Sequence, residues 1–131
     1  MFLTCAFLKF NSNNKVEYST AGHLPILKLA NNSENFDELV IKHLPIAATK
    51  DINYKTKSTV YNKNDLFILL TDGITETTNK RNEDFGMEKV KQLILNHRHD
   101  ALPLMYEKIN NTLAAYGKQK DDQSILLIRC L

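Results

Sequence analysis

The sequence predicts an α+β fold built mainly on antiparallel sheet. Two observations carry that expectation. Six short strand-like runs fill the first 71 residues with only short connections between them. Two consecutive helical stretches then precede one last strand. Strands joined by short turns pair antiparallel, because a parallel pair needs a long crossover. Two helices in succession then cover one face of the sheet.

The elements follow in order. "FLTCAFLKF" and "KVEYSTAG" are strand-like, and the turn formers of "NSNN" between them predict a β-hairpin. "AGHLPILKLA" gives a Gly-His corner and a short apolar strand, and "NNSEN" is a polar loop. "FDELVIKHLPIAA" holds another short strand before Pro45. "YKTKSTVYNKND" alternates and leads through "NKND" into the apolar run "LFILL". "EDFGMEKVKQLILNH" then sets Met87, Val90, Leu93 and Ile94 on one face at helical spacing. "ALPLMYEKINNTLAAYG" repeats the pattern with Leu104, Met105, Ile109, Leu113 and Tyr116, and Gly117 is its stop. "DDQSILLIRCL" is the closing strand. Both apolar stripes read as core, and there is no internal repeat, linker or low-complexity tract.

Length and composition exclude several function classes. At 131 residues, 43% hydrophobic and 24% charged, the chain is one ordinary globular domain at most. No apolar run approaches the roughly 18 residues that span a bilayer. "MFLTCAFLKF" lacks the basic start and small-residue cleavage site of a signal peptide. The net charge of +2 comes from lysines spread along the chain, so the basic stripe of a nucleic-acid binder is missing. Cys5 and Cys130 form no CxxC pair, which suits a reducing cytoplasm and two small buried hydrophobes.

The chemistry-bearing residues lie at strand ends. Asp72 closes the very apolar strand "LFILL", while Asp121 and Asp122 open "SILLI". If those strands are antiparallel neighbours, the three carboxylates converge on one edge. Converging carboxylates repel unless a cation neutralises them, and oxygen donors favour a hard ion such as Mg²⁺ or Mn²⁺. Asp-Gly is also a common turn dipeptide, and "KQKDD" also reads as a solvated loop, so the residues alone leave both readings open. His23, in the corner "AGHLP", is a third candidate or a structural turn residue. His43, His97 and His99 show no HExxH spacing, which disfavours zinc. There is no GxSxG elbow, GxGxxG loop or Walker lysine, so serine hydrolysis and the usual nucleotide cradles lack support.

Three segments in order carry a resemblance. "YSTAGHLPILKL", "DLFILLTDGITET" with "EDFGMEKV", and "KDDQSILLIR" resemble the "NAGHPP", "YTDGVTEA…FG" and "DDxTLLVLR" motifs. Those motifs mark the SpoIIE/RsbU branch of the metal-dependent protein phosphatases, the PPM or protein phosphatase 2C type. "HLPIAATKDINY" also resembles the "GLPLG" segment of that branch, so the likeness covers nearly the whole chain. It implies a four-layer αββα sandwich with a two-metal Mg²⁺ or Mn²⁺ centre at one end. It also implies hydrolysis of phosphoserine or phosphothreonine on a regulatory protein by metal-activated water, without a protein nucleophile. The substrate it suggests is an anti-anti-sigma-like regulator, in sigma-factor regulation.

Carried over residue by residue, the resemblance makes Asp72 and Asp121 metal ligands and thereby catalytic. Asp122 becomes an outer neighbour of the metal site, and Gly73 lets the turn after Asp72 close. Glu76 and His23 take supporting roles. The chain departs from the pattern at Thr20, where the motif has Asn, and at Gln123 in "DDQS". The "DxSGHG"-like segment of the family, with its further aspartates, and two long helices are not in this sequence. The expectation is therefore a C-terminal portion, 1–131, of a single phosphatase domain, with activity of this chain alone left open. An alternative is a catalytically inactive interaction module that binds a partner regulator, or a homo-oligomer formed through the exposed sheet face. A plain α+β domain with acidic turns is the third reading.

Overall fold

A computed structural model describes residues 3–131. Two compact units divide the chain. Of the described residues, the first takes in those up to Leu69 and Arg129–Leu131; the second is Leu70–Ile128.

The first unit is antiparallel sheet. β1 (Cys5–Phe10) and β2 (Lys15–Ala21) form the hairpin expected around "NSNN", with Phe7 opposite Ser19 and Phe10 opposite Val16. Asn14 turns that hairpin at φ +57°, a left-handed position asparagine tolerates better than most residues. β5 (Lys57–Val60) pairs with the other edge of β2, giving the order β1-β2-β5. A second set pairs β3 (Ile26–Leu29) with both β4 (Phe36–Leu39) and β6 (Leu66–Leu70). The alternation of β2 is visible in its burial. Val16, Tyr18 and Thr20 are buried, while Lys15 is exposed and Glu17 and Ser19 are half-buried. β3 and β6 do not alternate: Ile26 and Leu27 are both fully buried, as are Phe67 and Ile68. Apolar residues at successive positions are what strands buried on both faces require, and β3 departs from that only at Lys28. Each such side chain contributes about 1.5–3 kcal/mol over an exposed one.

Two charged side chains are buried in this unit. Lys28 is buried in β3, and its ammonium donates to the Val60 carbonyl at 2.8 Å. Asp65, 1% exposed, accepts the Asn31 N–H on one carboxylate oxygen and the Asn62 N–H on the other, both at 2.9 Å. Cys130 lies beside it, exchanging backbone hydrogen bonds with Asn64 and Asp65. Both cysteines are free thiols. Burial, reinforced by the Asp65 charge, pushes the Cys130 thiol up, so it stays protonated as a small hydrophobe.

The second unit holds the helices. α1 is a single turn, Asp72–Thr75; α2 is Gly86–Asn96; α3 is Leu102–Tyr116; and β7, Ile125–Arg129, leads out of the unit. The α2 stripe is as expected, with Val90 and Ile94 buried and Met87 and Leu93 half-buried. In α3 the buried line is Met105, Ile109 and Leu113 at a spacing of one turn. Leu104 departs from the expectation: it is exposed, because one residue from Met105 turns it about 100° off the buried face. Pro103 in the first turn suits the helix start, and Gly117 is the residue after its end. Tyr116 packs edge-on against Phe85 at 5.0 Å and donates to the Asp84 carbonyl. At the α2–α3 junction, Asp100 accepts from Lys108 at 2.8 Å and contacts His97 Nδ1 at 3.0 Å. No helix among the described residues is long and apolar enough to cross a membrane.

Candidate functional site

The "TDGITETT" stretch folds as one helical turn rather than as a bare corner. Thr71 occupies the position before α1 in extended backbone, yet its hydroxyl does not cap the helix. The hydroxyl is used elsewhere, accepting the Ser124 N–H at 2.9 Å and donating to the Asp122 carbonyl at 3.3 Å. The Thr71 N–H adds a bond to the Ser124 carbonyl at 3.0 Å. These three bonds lay the segment 121–124 alongside the start of α1. The end of the run "LFILL" and the start of "SILLI" therefore lie side by side.

Gly73 shows how closely they meet. A Cβ built on it would lie 2.3 Å from the Asp122 carbonyl oxygen and 3.1 Å from that of Asp121. Its backbone is not in the left-handed region, so the glycine serves close approach rather than a special dihedral. The glycine thereby lets the start of α1 lie directly against the facing chain.

Asp72, Asp121 and Asp122 are exposed. The Asp72 carbonyl holds α1 by accepting the Glu76 N–H at 2.8 Å and the Thr75 hydroxyl at 2.9 Å. Asp121 Oδ1 accepts the Asp122 N–H at 2.8 Å, which fixes how that carboxyl leaves the loop. Glu76, also exposed, is the residue that ends α1. His23 belongs to the first unit, in the corner between β2 and β3. It is half-buried, with Nδ1 2.9 Å from the Leu24 carbonyl. Gly22 before it adopts φ +60°, the left-handed backbone the Gly-His corner calls for.

Three residues of this site were not singled out as functional from sequence: Thr71, Thr77 and Gln123. Gln123 Nε2 donates to the Gly73 carbonyl at 3.1 Å and to the Thr77 hydroxyl at 2.7 Å. That hydroxyl, buried at 1% exposure, donates in turn to the Gly73 carbonyl at 3.2 Å. The only hint in the sequence is the run of polar residues after an apolar strand.

The donor chemistry here is all oxygen, carboxylate and carbonyl, and suits a hard divalent ion over zinc. Among the described residues there is no group of three or more Asp, Glu, His or Cys side chains able to hold a metal. Asp72 and Asp121 are thus not part of such a group among the described residues.

Comparison with known proteins places this fold. The phosphoserine phosphatase RsbU of Bacillus subtilis is 26% identical over 134 residues, which is 98% of this chain and 39% of that protein. The chain thus spans about two fifths of the length of this curated relative. Among solved structures, the SiaA-PP2C domain of Pseudomonas aeruginosa superposes with a TM-score of 0.76 at 22% identity, over 88% of this chain and 46% of that one. The phosphatase domain of SpoIIE from Bacillus subtilis, presoaked with Mn, gives 0.64 at 14% identity, over 97% and 56%. The α+β architecture with antiparallel sheets is therefore the fold of PP2C-type phosphatase domains. The family described as stage II sporulation protein E matches residues 1–131, from the first motif to the last. The chain belongs to the SpoIIE family.

Proposed function

We propose that this chain is the C-terminal portion of a PPM-type phosphatase domain. The complete domain hydrolyses phosphoserine or phosphothreonine on a regulatory protein, of the anti-anti-sigma kind, in the cytoplasm. The observation that carries the reading is the close approach of α1 to the 121–122 carbonyls, inside a chain matched to SpoIIE over its whole length. In this reading Asp72 and Asp121 hold Mg²⁺ or Mn²⁺. A divalent ion held there would lower the pKa of a bound water, so that hydroxide is available as the nucleophile toward phosphorus at neutral pH. Asp122 and Gly73 keep the two ligand-bearing segments together, Glu76 supports the end of α1, and His23 keeps the supporting role that the resemblance gives it.

The test is manganese-dependent hydrolysis of p-nitrophenyl phosphate and of a phosphoserine peptide. Turnover that needs Mn²⁺ and disappears in Asp72→Asn and Asp121→Asn is the expected result. Turnover unchanged in both variants refutes the assignment of the ligands.

The donor count favours a second reading for this chain taken alone. With fewer than three side-chain donors gathered among the described residues, it binds a partner regulator without hydrolysing it. Phe7 and Val60 offer the surface: both are more than half exposed, and the register sets them on one face of the β1-β2-β5 sheet. Partner or self-association measured by light scattering, without Mn²⁺-dependent turnover, is the outcome that selects it.

A further inference from the structure

We propose that Gln123 is a positioning residue for the divalent-cation site, acting through Thr77 and the Gly73 carbonyl on the turn that carries Asp72. The proposal rests on the reading of Asp72 and Asp121 as metal ligands and adds to it the device that holds them in register. The geometry is specific. A carbonyl oxygen only accepts, so the Gln123 nitrogen faces Gly73, and the same nitrogen reaches Thr77 Oγ1. The Thr77 hydroxyl accepts that bond and donates to the same Gly73 carbonyl, closing a ring of three hydrogen bonds.

The ring bridges residues about fifty positions apart and ties both ends of the candidate site together. Gln123 directly follows Asp121 and Asp122, while Gly73 directly follows Asp72. A four-residue helix has too few internal bonds to hold its own orientation. Thr71 secures the start of α1 to Ser124; Gln123 secures its body through a separate pair of atoms. Partners that orient metal ligands without touching the metal are commonly worth 10–100-fold in affinity.

The test uses the full chain with Mn²⁺ as probe and two readouts. In the metal-free protein, amide hydrogen exchange at Glu76 and Thr77 is compared between wild type and Gln123→Leu. Leucine is accommodated because Gln123 borders a cavity of about 260 Å³, lined also by Tyr106 and Asn110. Exchange in α1 rises roughly fivefold or more, as expected for losing hydrogen bonds, with α2 and α3 unmoved. Mn²⁺ affinity, read from the electron paramagnetic resonance of the free ion, falls roughly tenfold in Gln123→Leu and in Thr77→Val. Thr77→Ser, which keeps the hydroxyl, retains wild-type affinity.

Unchanged exchange in Gln123→Leu overturns the proposal. So does faster exchange with unchanged Mn²⁺ affinity, which makes the ring a structural tie only. Wild-type affinity that survives in Asp72→Asn and Asp121→Asn, or a wild type that binds no Mn²⁺, overturns the underlying metal reading instead, and the positioning role with it.

Discussion

Gly73→Ala isolates the contact on which the candidate site depends. The new methyl carbon would sit 2.3 Å from the Asp122 carbonyl oxygen, 3.0 Å from its carbon and 3.1 Å from the Asp121 oxygen. All three are backbone atoms, so no side chain can swing away to make room. The Asp122 oxygen must retreat by about 1 Å to reach an ordinary van der Waals separation. That retreat works against the Thr71 bond to the same oxygen and against the Asp121 carboxylate on the Asp122 N–H. Overpacking of this kind costs about 1–3 kcal/mol or more, while alanine in a helical turn returns up to about 1 kcal/mol. The net destabilisation is about 1–2 kcal/mol, a fall in Tm of roughly 4–8 °C for a chain of this size. Thermal unfolding by circular dichroism measures it, and a Mn²⁺ titration of the folded variant measures the effect on the site. Because the displaced carbonyls belong to Asp121 and Asp122, Mn²⁺ affinity falls even well below the melting temperature. A variant that melts within about 1 °C of wild type and binds Mn²⁺ equally well refutes the reasoning.

Three further perturbations test other parts of the molecule. Asp65→Ala leaves the Asn31 and Asn62 N–H groups without their acceptor and costs roughly 2–4 kcal/mol in urea unfolding, whereas Asp65→Asn, which keeps one acceptor oxygen, costs less. Ala47→Gly raises stability by about 0.5–1 kcal/mol in the same assay, because Ala47 is held at φ +65° and glycine removes that strain at a smaller entropic cost. The hydrogen bond from Lys108, joined by that of His97 and opposed by desolvation, holds the Asp100 carboxyl below the usual carboxylate range. A depressed native pKa means its contribution is complete above the ordinary carboxylate value and is lost as pH falls through the native one. The urea midpoint of wild type therefore falls more steeply below about pH 4 than that of Asp100→Asn, and equal slopes refute the assignment.

The parts legible in the sequence are those governed by neighbours along the chain. The hairpin around "NSNN", the apolar strands β3 and β6 and the stripes of α2 and α3 follow from periodicities of two and 3.6 residues. Leu104 was misplaced because a stripe read without its axis admits a residue on either side of the true line; burial selects Met105. α1 left no periodic signal, since four residues make barely one turn. The bonds that shape the candidate site were illegible for a stronger reason. They join Thr71 to Ser124 and Gly73 to Gln123 across fifty or more residues, and no local pattern encodes such a pairing.

That distance changes what the Asp-Gly dipeptide means. In a hairpin corner the glycine is chosen for a positive φ, and the aspartate for its bond to a neighbouring backbone. Gly73 has no positive φ, and the short helix begins with Asp72 instead of turning at it. The local cause of an Asp-Gly corner is therefore missing here. What excludes a side chain at position 73 is the facing carbonyl of Asp122, so the requirement for glycine comes from the far end of the chain, from the segment that also carries Asp121.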